Sequence, residues 1–259
     1  MFRLAQGKSF HDAARARPEI GASRYTHSIL LKQCRNPPLY HEPMHESLPA
    51  GRRKIDVQTW ERAAVYSFFR SFTEPFHGVC LRVDCTATYR CAKERSLSIF
   101  LSLIHRALVA VQQVENLRTR IVDGEVWLYD VIHASGVVAR ANGTIGFAYY
   151  PYFASLDAFV RTATATAHDV AQRSDLDLSP EQNLIHFSTL PWFDFTSIDH
   201  ARNFAFEDSV PRITFGKITE ADGRRTMPVS IHAHHALADG LHVAQFVERF
   251  QNSLDHPES

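Results

Sequence analysis

The stretch LSIFLSLIHRALVAVQQV, residues 97 to 114, constrains this chain more than any other. Its apolar residues recur on nearly every side of a 3.6-residue period, so as a helix it offers no broad face to water and must be packed on most sides. Ser96 stands at its head as an N-cap. Enclosing such a helix takes a substantial core, and 259 residues at 45% hydrophobic and 22% charged can supply one.

The surrounding elements follow from alternation and turns. LRTRIVDGEVWLYD places Asp123-Gly124 between two alternating apolar runs, a hairpin signal because that dipeptide accepts the positive φ of a type I′ turn. VIHASGVVARA and TIGFAYYPYF continue as strands, and CLRVDCTA, residues 80 to 87, alternates Leu81, Val83, Cys85 and Ala87 with polar neighbours. LDAFVRTATATAHDVAQRS, residues 156 to 174, is an amphipathic helix. NLIHFSTLPWFDF and RITFGKITEADGRRTMPVSIHAHHA give strands and a hairpin around Ala221-Asp222-Gly223, and GLHVAQFVERFQNSL a last helix. IDVQTWERAAVYSFFRSF, residues 55 to 72, reads as a helix capped by Asp56 or Thr59. Without regular βαβ alternation the expected class is α+β, a mixed, mainly antiparallel sheet flanked by helices. Residues 1 to 50, broken by Pro37, Pro38, Pro43 and Pro49, read as a flexible N-terminal extension, and residues 51 to 259 as the folded domain.

Lys plus Arg and Asp plus Glu number 28 each, so no global field draws nucleic acid or an anionic membrane, and no window nears the ~20 apolar residues of a membrane span. A neutral or locally apolar small ligand is the better expectation. Cys34, Cys80, Cys85 and Cys91 lack CxxC spacing, and the N-terminus lacks a continuous apolar h-region; reduced thiols and a cytoplasmic location are expected.

HAHHALADGLH, residues 232 to 242, is where chemistry concentrates. His232 and His234 share one face of a strand and His235 takes the other. A closed metal site needs further ligands that no second cluster supplies, so no metal is expected. His235 opens His-x-x-x-Asp-Gly, a strand end, a turn through Asp239-Gly240 and a helix start, which can hold an imidazole rigidly where it can accept a proton. Asp239 either partners the ring or braces the turn through an arginine.

HAHHALADGLHVAQFVERFQ resembles the terminal signature of the chloramphenicol acetyltransferases; dihydrolipoyl acyltransferase cores and peptide-synthetase condensation domains share its short motif. IDVQTWERAAVYSFF, RTRIVDGEVWLYDVIHAS, TIGFAYYPY, NLIHFSTLPWFDFTS and PRITFGK resemble further segments of the family, in its order, over about residues 53 to 251. The resemblance implies an α+β subunit in a homotrimer with active sites at subunit interfaces, one subunit offering the histidine and its neighbour much of the acceptor pocket. Acetyl-CoA and a small hydroxylated acceptor would react there in a ternary complex. By resemblance His235 is the general base, Ser188 the oxyanion donor, and Asp239 with Arg62 a structural ion pair. Thr214 contacts the reacting centre through water, Trp192 and Lys217 lie on the coenzyme side, and Phe69, His200 and Ile145 on the acceptor side. Phe69 stands where well-known members carry a tyrosine, and His200 near a pocket leucine, which puts the antibiotic in doubt as the best acceptor. The implied function is O-acetyl transfer to chloramphenicol or a similar compound. The alternatives are acyl transfer by the same fold to a different acceptor, or a non-catalytic trimer that sequesters a ligand.

Overall fold

The computed structural model describes residues 51 to 258 apart from 177, 204 and 205. The extension expected over residues 1 to 50, with Cys34, lies outside the described residues.

A seven-stranded sheet carries the molecule. Its strands are β2 (Phe76–Asp84), β5 (His133–Ala139), β6 (Ile145–Tyr150), β7 (Leu184–Thr189), β8 (Arg212–Phe215), β9 (Thr219–Ala221) and β10 (Arg224–His234). The order across it is β2-β10-β8-β7-β5-β6, with β9 on the first residues of β10. β7 runs parallel to both β5 and β8, and the other pairs are antiparallel. A smaller antiparallel sheet, in the order β1-β4-β3, consists of β1 (Arg52–Lys54), β3 (Thr119–Val122) and β4 (Glu125–Tyr129). The mixed, mainly antiparallel α+β arrangement is the one expected.

The helix that had to be enclosed is α3 (Ile99–Val111), in which Leu101 to Leu108 are all buried. It packs against α2 (Thr86–Glu94), α5 (Leu156–Gln172) and α6 (Gly240–Asp255), and these helices contact the large sheet. The main core joins Ile104, Leu108, Phe159, Phe246 and Phe250 to the sheet residues Ile185, Phe187, Ile213, Phe215, Val229 and Ile231. Each such side chain contributes about 1.5 to 3 kcal/mol on burial.

The turns behave as their residues dictate. Asp123 and Gly124 have φ of 53° and 75°, Asp222 and Gly223 φ of 50° and 75°, the doubly positive pattern of type I′. Ser96 does not cap α3: its own φ is 54°, a left-handed position at the end of α2, and the cap is Ser98, whose hydroxyl accepts from Leu101 N–H. The strand expected over residues 80 to 87 runs instead from Phe76 to Asp84, where the Asp84 carboxylate takes the Thr86 N–H and hydroxyl and turns the chain into α2. The helix expected over residues 55 to 72 shrinks to α1 (Ala63–Phe69), with neither Asp56 nor Thr59 as its cap. The Asp56 carboxylate instead accepts from Gln58 N–H and the Thr59 hydroxyl, a local turn that competes with helix. A one-turn helix, α4 (Glu115–Arg118), was not foreseen.

A second, smaller core lies under the three-stranded sheet. Ile55, Tyr66, Ile121, Val126 and Leu128 gather there around Ala236 and Leu237, two residues of the turn that follows β10.

Candidate active site

β10 delivers His235 to the end of the large sheet, where its N–H bonds Pro75 O at 2.7 Å. The four carbonyls that follow are each taken by a side chain. Arg62 donates through Nη2 to His235 O (3.1 Å) and through Nε to Ala236 O (3.2 Å). Asn116 Nδ2 donates to Leu237 O at 2.8 Å, and His77 Nε2 lies 3.2 Å from Ala238 O. Each bond is worth about 1 kcal/mol net, and stranding a buried carbonyl costs about 1 to 3 kcal/mol, so this turn is held from three separate elements.

Asp239 closes the clasp. Its Oδ2 accepts from Arg62 Nη1 at 2.7 Å, and its Oδ1 caps α6 by accepting from Leu241 N–H at 3.1 Å. His242 Nδ1 accepts from Asp239 N–H at 3.2 Å and completes a capping box. Burial pushes the Asp239 carboxyl up, but the Arg62 hydrogen bond, with the charges of His242 and Arg62, outweighs it and brings the group down to about 2. Of the two jobs left open by the sequence, the geometry pairs Asp239 with Arg62; among the described residues no hydrogen bond joins it to the His235 ring.

The His235 ring is half-buried between two others. Phe69 stacks on it at 3.8 Å and 8°, and His77 lies 4.6 Å away at 45°. Nδ1 is buried with no hydrogen-bond partner among the described residues. A proton acceptor on this ring would therefore be Nε2.

A second cluster stands on the sheet face away from the helices. In one row across the strands lie His186, Arg212, His232 and Gly78; in the next, Ser188, Thr214, Ser230 and Cys80. Thr214 and Ser230 are fully buried, and Ser230 Oγ has no partner among the described residues. His200, from the loop after β7, sets Nε2 3.4 Å from Thr214 Oγ1 and its ring edge-on to His232 at 4.8 Å. His232 lies over Gly78, where a Cβ would come within 2.6 Å of its ring, so glycine is required for that approach. Asp208 binds Arg212 at 2.7 Å, and the Arg202 guanidinium lies 3.4 Å over the Phe76 ring. Burial, then the charges of His232 and Arg212, bring His200 down to about 4.

The residues singled out from sequence thus form two groups. His235, Asp239, Arg62 and Phe69 meet at the end of β10; Ser188, Thr214 and His200 meet on the polar sheet face. Four residues of β10 separate Ser230 from His234, roughly 13 Å, and two strand spacings of about 4.8 Å separate Ser230 from Ser188. Within one chain Ser188 is therefore on the order of 16 Å from His234, and His235, one residue further on, is too far from Ser188 to share one carbonyl. Trp192 is 71% exposed in the loop after β7, and Lys217 is exposed nearby, its N–H bonding Phe193 O at 2.8 Å. Ile145 is exposed at the start of β6 and belongs to neither group.

Among the described residues no group of three or more His, Cys, Asp or Glu stands ready to hold a metal ion, and no helix is long and apolar enough to cross a membrane. Cys80, Cys85 and Cys91 are unpaired. Sequence reasoning missed His77 and Asn116, the other two clasps of the turn. His77 was legible in FHGVCLRVD, where the strand starts four residues earlier than expected; Asn116 left no signal, because its role depends on where α4 docks.

The family profile for chloramphenicol acetyltransferase matches residues 52 to 251. The chain is 25% identical to a Bacillus pumilus chloramphenicol acetyltransferase, covering 79% of this chain and 94% of that protein. It is 28% identical to chloramphenicol acetyltransferase 3 of Escherichia coli, over 76% and 94%. A solved chloramphenicol acetyltransferase superposes with a TM-score of 0.69 at 28% identity, covering 79% of this chain and all of that one. A probable dihydrolipoamide acetyltransferase from Listeria monocytogenes, at 15% identity and a TM-score of 0.57, shares the fold. With four fifths of the chain accounted for by these matches, and the His-x-x-x-Asp-Gly turn built as described, the protein belongs to the chloramphenicol acetyltransferase family.

Proposed function

We propose that the protein transfers an acetyl group from acetyl-CoA to a hydroxyl of a small acceptor, with chloramphenicol the named candidate. His235 is the base. Its Nε2 takes the acceptor's hydroxyl proton as that oxygen attacks the thioester carbonyl, which avoids forming a free alkoxide at neutral pH. The carbonyl oxygen becomes an oxyanion and takes a hydrogen bond from the Ser188 hydroxyl. Collapse of the tetrahedral intermediate expels the coenzyme A thiolate, and the imidazolium returns a proton to balance the step. Thr214, next to Ser188 in the same sheet row, holds water at the reacting centre, with Trp192 and Lys217 flanking the coenzyme.

The separation of His235 from Ser188 within one chain supports a site assembled between copies. Each His235 then meets the Ser188 of a neighbour, in a homotrimer. The Arg62–Asp239 pair acts on the backbone of the turn and not on the proton.

One observation carries the reading: His235 stands ring-clamped at the end of β10 with every carbonyl of its turn satisfied, the construction of a side chain whose position matters to a fraction of an ångström. Release of free coenzyme A from acetyl-CoA, measured with chloramphenicol and a panel of other alcohols, tests it. His235→Ala is expected to lower kcat by about 10²- to 10⁴-fold; turnover near the wild-type rate in that variant removes the mechanism. Phe69 and His200, in place of a ring hydroxyl and an apolar side chain, favour a second reading in which another alcohol is the better acceptor. Sequestration without catalysis predicts acceptor binding and no release.

A further inference from the structure

Thr214 is wholly buried, and its hydroxyl has one hydrogen-bond partner among the described residues, His200 Nε2 at 3.4 Å. No hydrogen bond joins it to Ser188 or Ser230, its neighbours in the row, whose strands stand about 4.8 Å to either side. Ser230 shows the same position without help: it is equally buried, and its Oγ has no partner among the described residues. A threonine hydroxyl turns about its C–O bond, so a single fixed partner decides where its proton and lone pairs point.

His200 reaches Thr214 because its own loop is seated on the sheet ring against ring. Its imidazole meets that of His232 edge-on at 4.8 Å, and His232 lies over Gly78, in room that only glycine leaves. Burial moves the protonation of His232 down, opposed by a hydrogen bond to the Ile198 backbone and by the charge of Asp199, both from the loop that carries His200. Burial, with the charges of His232 and Arg212, keeps the His200 ring neutral at pH 7, and a neutral ring gives or takes one hydrogen bond through Nε2.

Resting on the reading of Thr214 as the holder of water at the reacting centre, we infer that His200 is a positioning residue for the transfer: it fixes the direction of the Thr214 hydroxyl, and through that hydroxyl the water. Its contribution then belongs to turnover and passes entirely through one oxygen atom. Removing that oxygen should make the identity of residue 200 indifferent to turnover.

The test is a double-mutant cycle on kcat for coenzyme A release, run with the most active acceptor of the panel. Alone, His200→Leu is expected to lower kcat about fivefold, the worth of one hydrogen bond, with the KM for the acceptor unchanged. His200→Asn, too short to reach the hydroxyl, repeats the loss where leucine packs badly. His200→Gln, whose longer amide meets the same hydroxyl, is expected to recover most of it. On a Thr214→Val background, isosteric and without the hydroxyl, each of these substitutions is expected to change kcat by less than about twofold. A loss of the same size on both backgrounds makes the two residues independent and overturns the inference. An unchanged kcat in His200→Leu, or a change confined to KM, overturns it as well. No release by the wild type with any acceptor defeats the proposed transferase, whereas full turnover in Thr214→Val defeats the role of Thr214 alone; either result removes this inference with it.

Discussion

The two faces of the seven-stranded sheet are built to different rules. Toward the helices it presents Ile185, Phe187, Ile213, Phe215, Val229 and Ile231, all in the main core with Phe246 and Phe250. On the other side the same strands present His186, Ser188, Arg212, Thr214, Ser230, His232 and His234. Alternation along a strand makes both faces from one sequence, so neither can drift in register without exchanging core for site. The first face holds the fold together. The second contains groups with no hydrogen-bond partner among the described residues, Ser230 Oγ and Arg212 Nη1 among them, as expected of a surface that a substrate or another copy completes.

The sharpest break in this comparison comes from the helical side. Phe246→Ala, at a fully buried position, is expected to cost about 3 to 5 kcal/mol of stability, read from the midpoint of urea unfolding. A loss under 1 kcal/mol would mean that the helical layer is not the core.

Acid is expected to act mainly through the polar side. His186, His200 and His234 there, with His105 among the helices, are brought down to about 4 primarily by burial, from an ordinary 6.5. Folded, these rings stay neutral below pH 6.5 while the unfolded chain takes up protons, so the unfolded state is the one that gains. Their contribution to stability is complete above pH 6.5 and is lost progressively as pH falls through 4. Unfolding midpoints measured between pH 7 and pH 4.5 should decline; a flat profile would show the rings to be accessible to water. Asp239, held at about 2, adds a further loss only between about pH 4 and pH 2.

The smallest effect is the most specific to the comparison. Ser230→Ala removes a buried hydroxyl that has no partner among the described residues, so its expected effect on stability lies between nothing and a gain of about 1 kcal/mol. A Ser→Ala change that destabilises by more than 1 kcal/mol would reveal a partner for that hydroxyl.

Much of this was legible in the chain because it rests on period and turn chemistry. α3 had to be buried, Asp123-Gly124 and Asp222-Gly223 had to turn, and His235 had to face away from His232 and His234. The failures share a physical cause. Asp56, Asp84 and Ser96 sit where a side chain or a left-handed backbone competes with the regular element, and a pattern of apolar residues is blind to that competition. The site was legible as residue types and not as an arrangement. Motif spacing brought Asp239 to His235, but the clasp from Asn116 and His77 depends on the docking of distant elements. The separation of Ser188 from His235 appears only once the register of β7, β8 and β10 is known.

That separation is the claim to test. Ser188→Ala and His235→Ala chains, each inactive alone, are unfolded together in equal amounts, refolded and assayed for coenzyme A release with chloramphenicol. In a ring where each site takes its histidine from one copy and its serine from the next, about a quarter of the sites regain both, and activity should recover toward that fraction of wild type. Recovery no greater than the sum of the two variants refolded separately would contradict a site shared between copies.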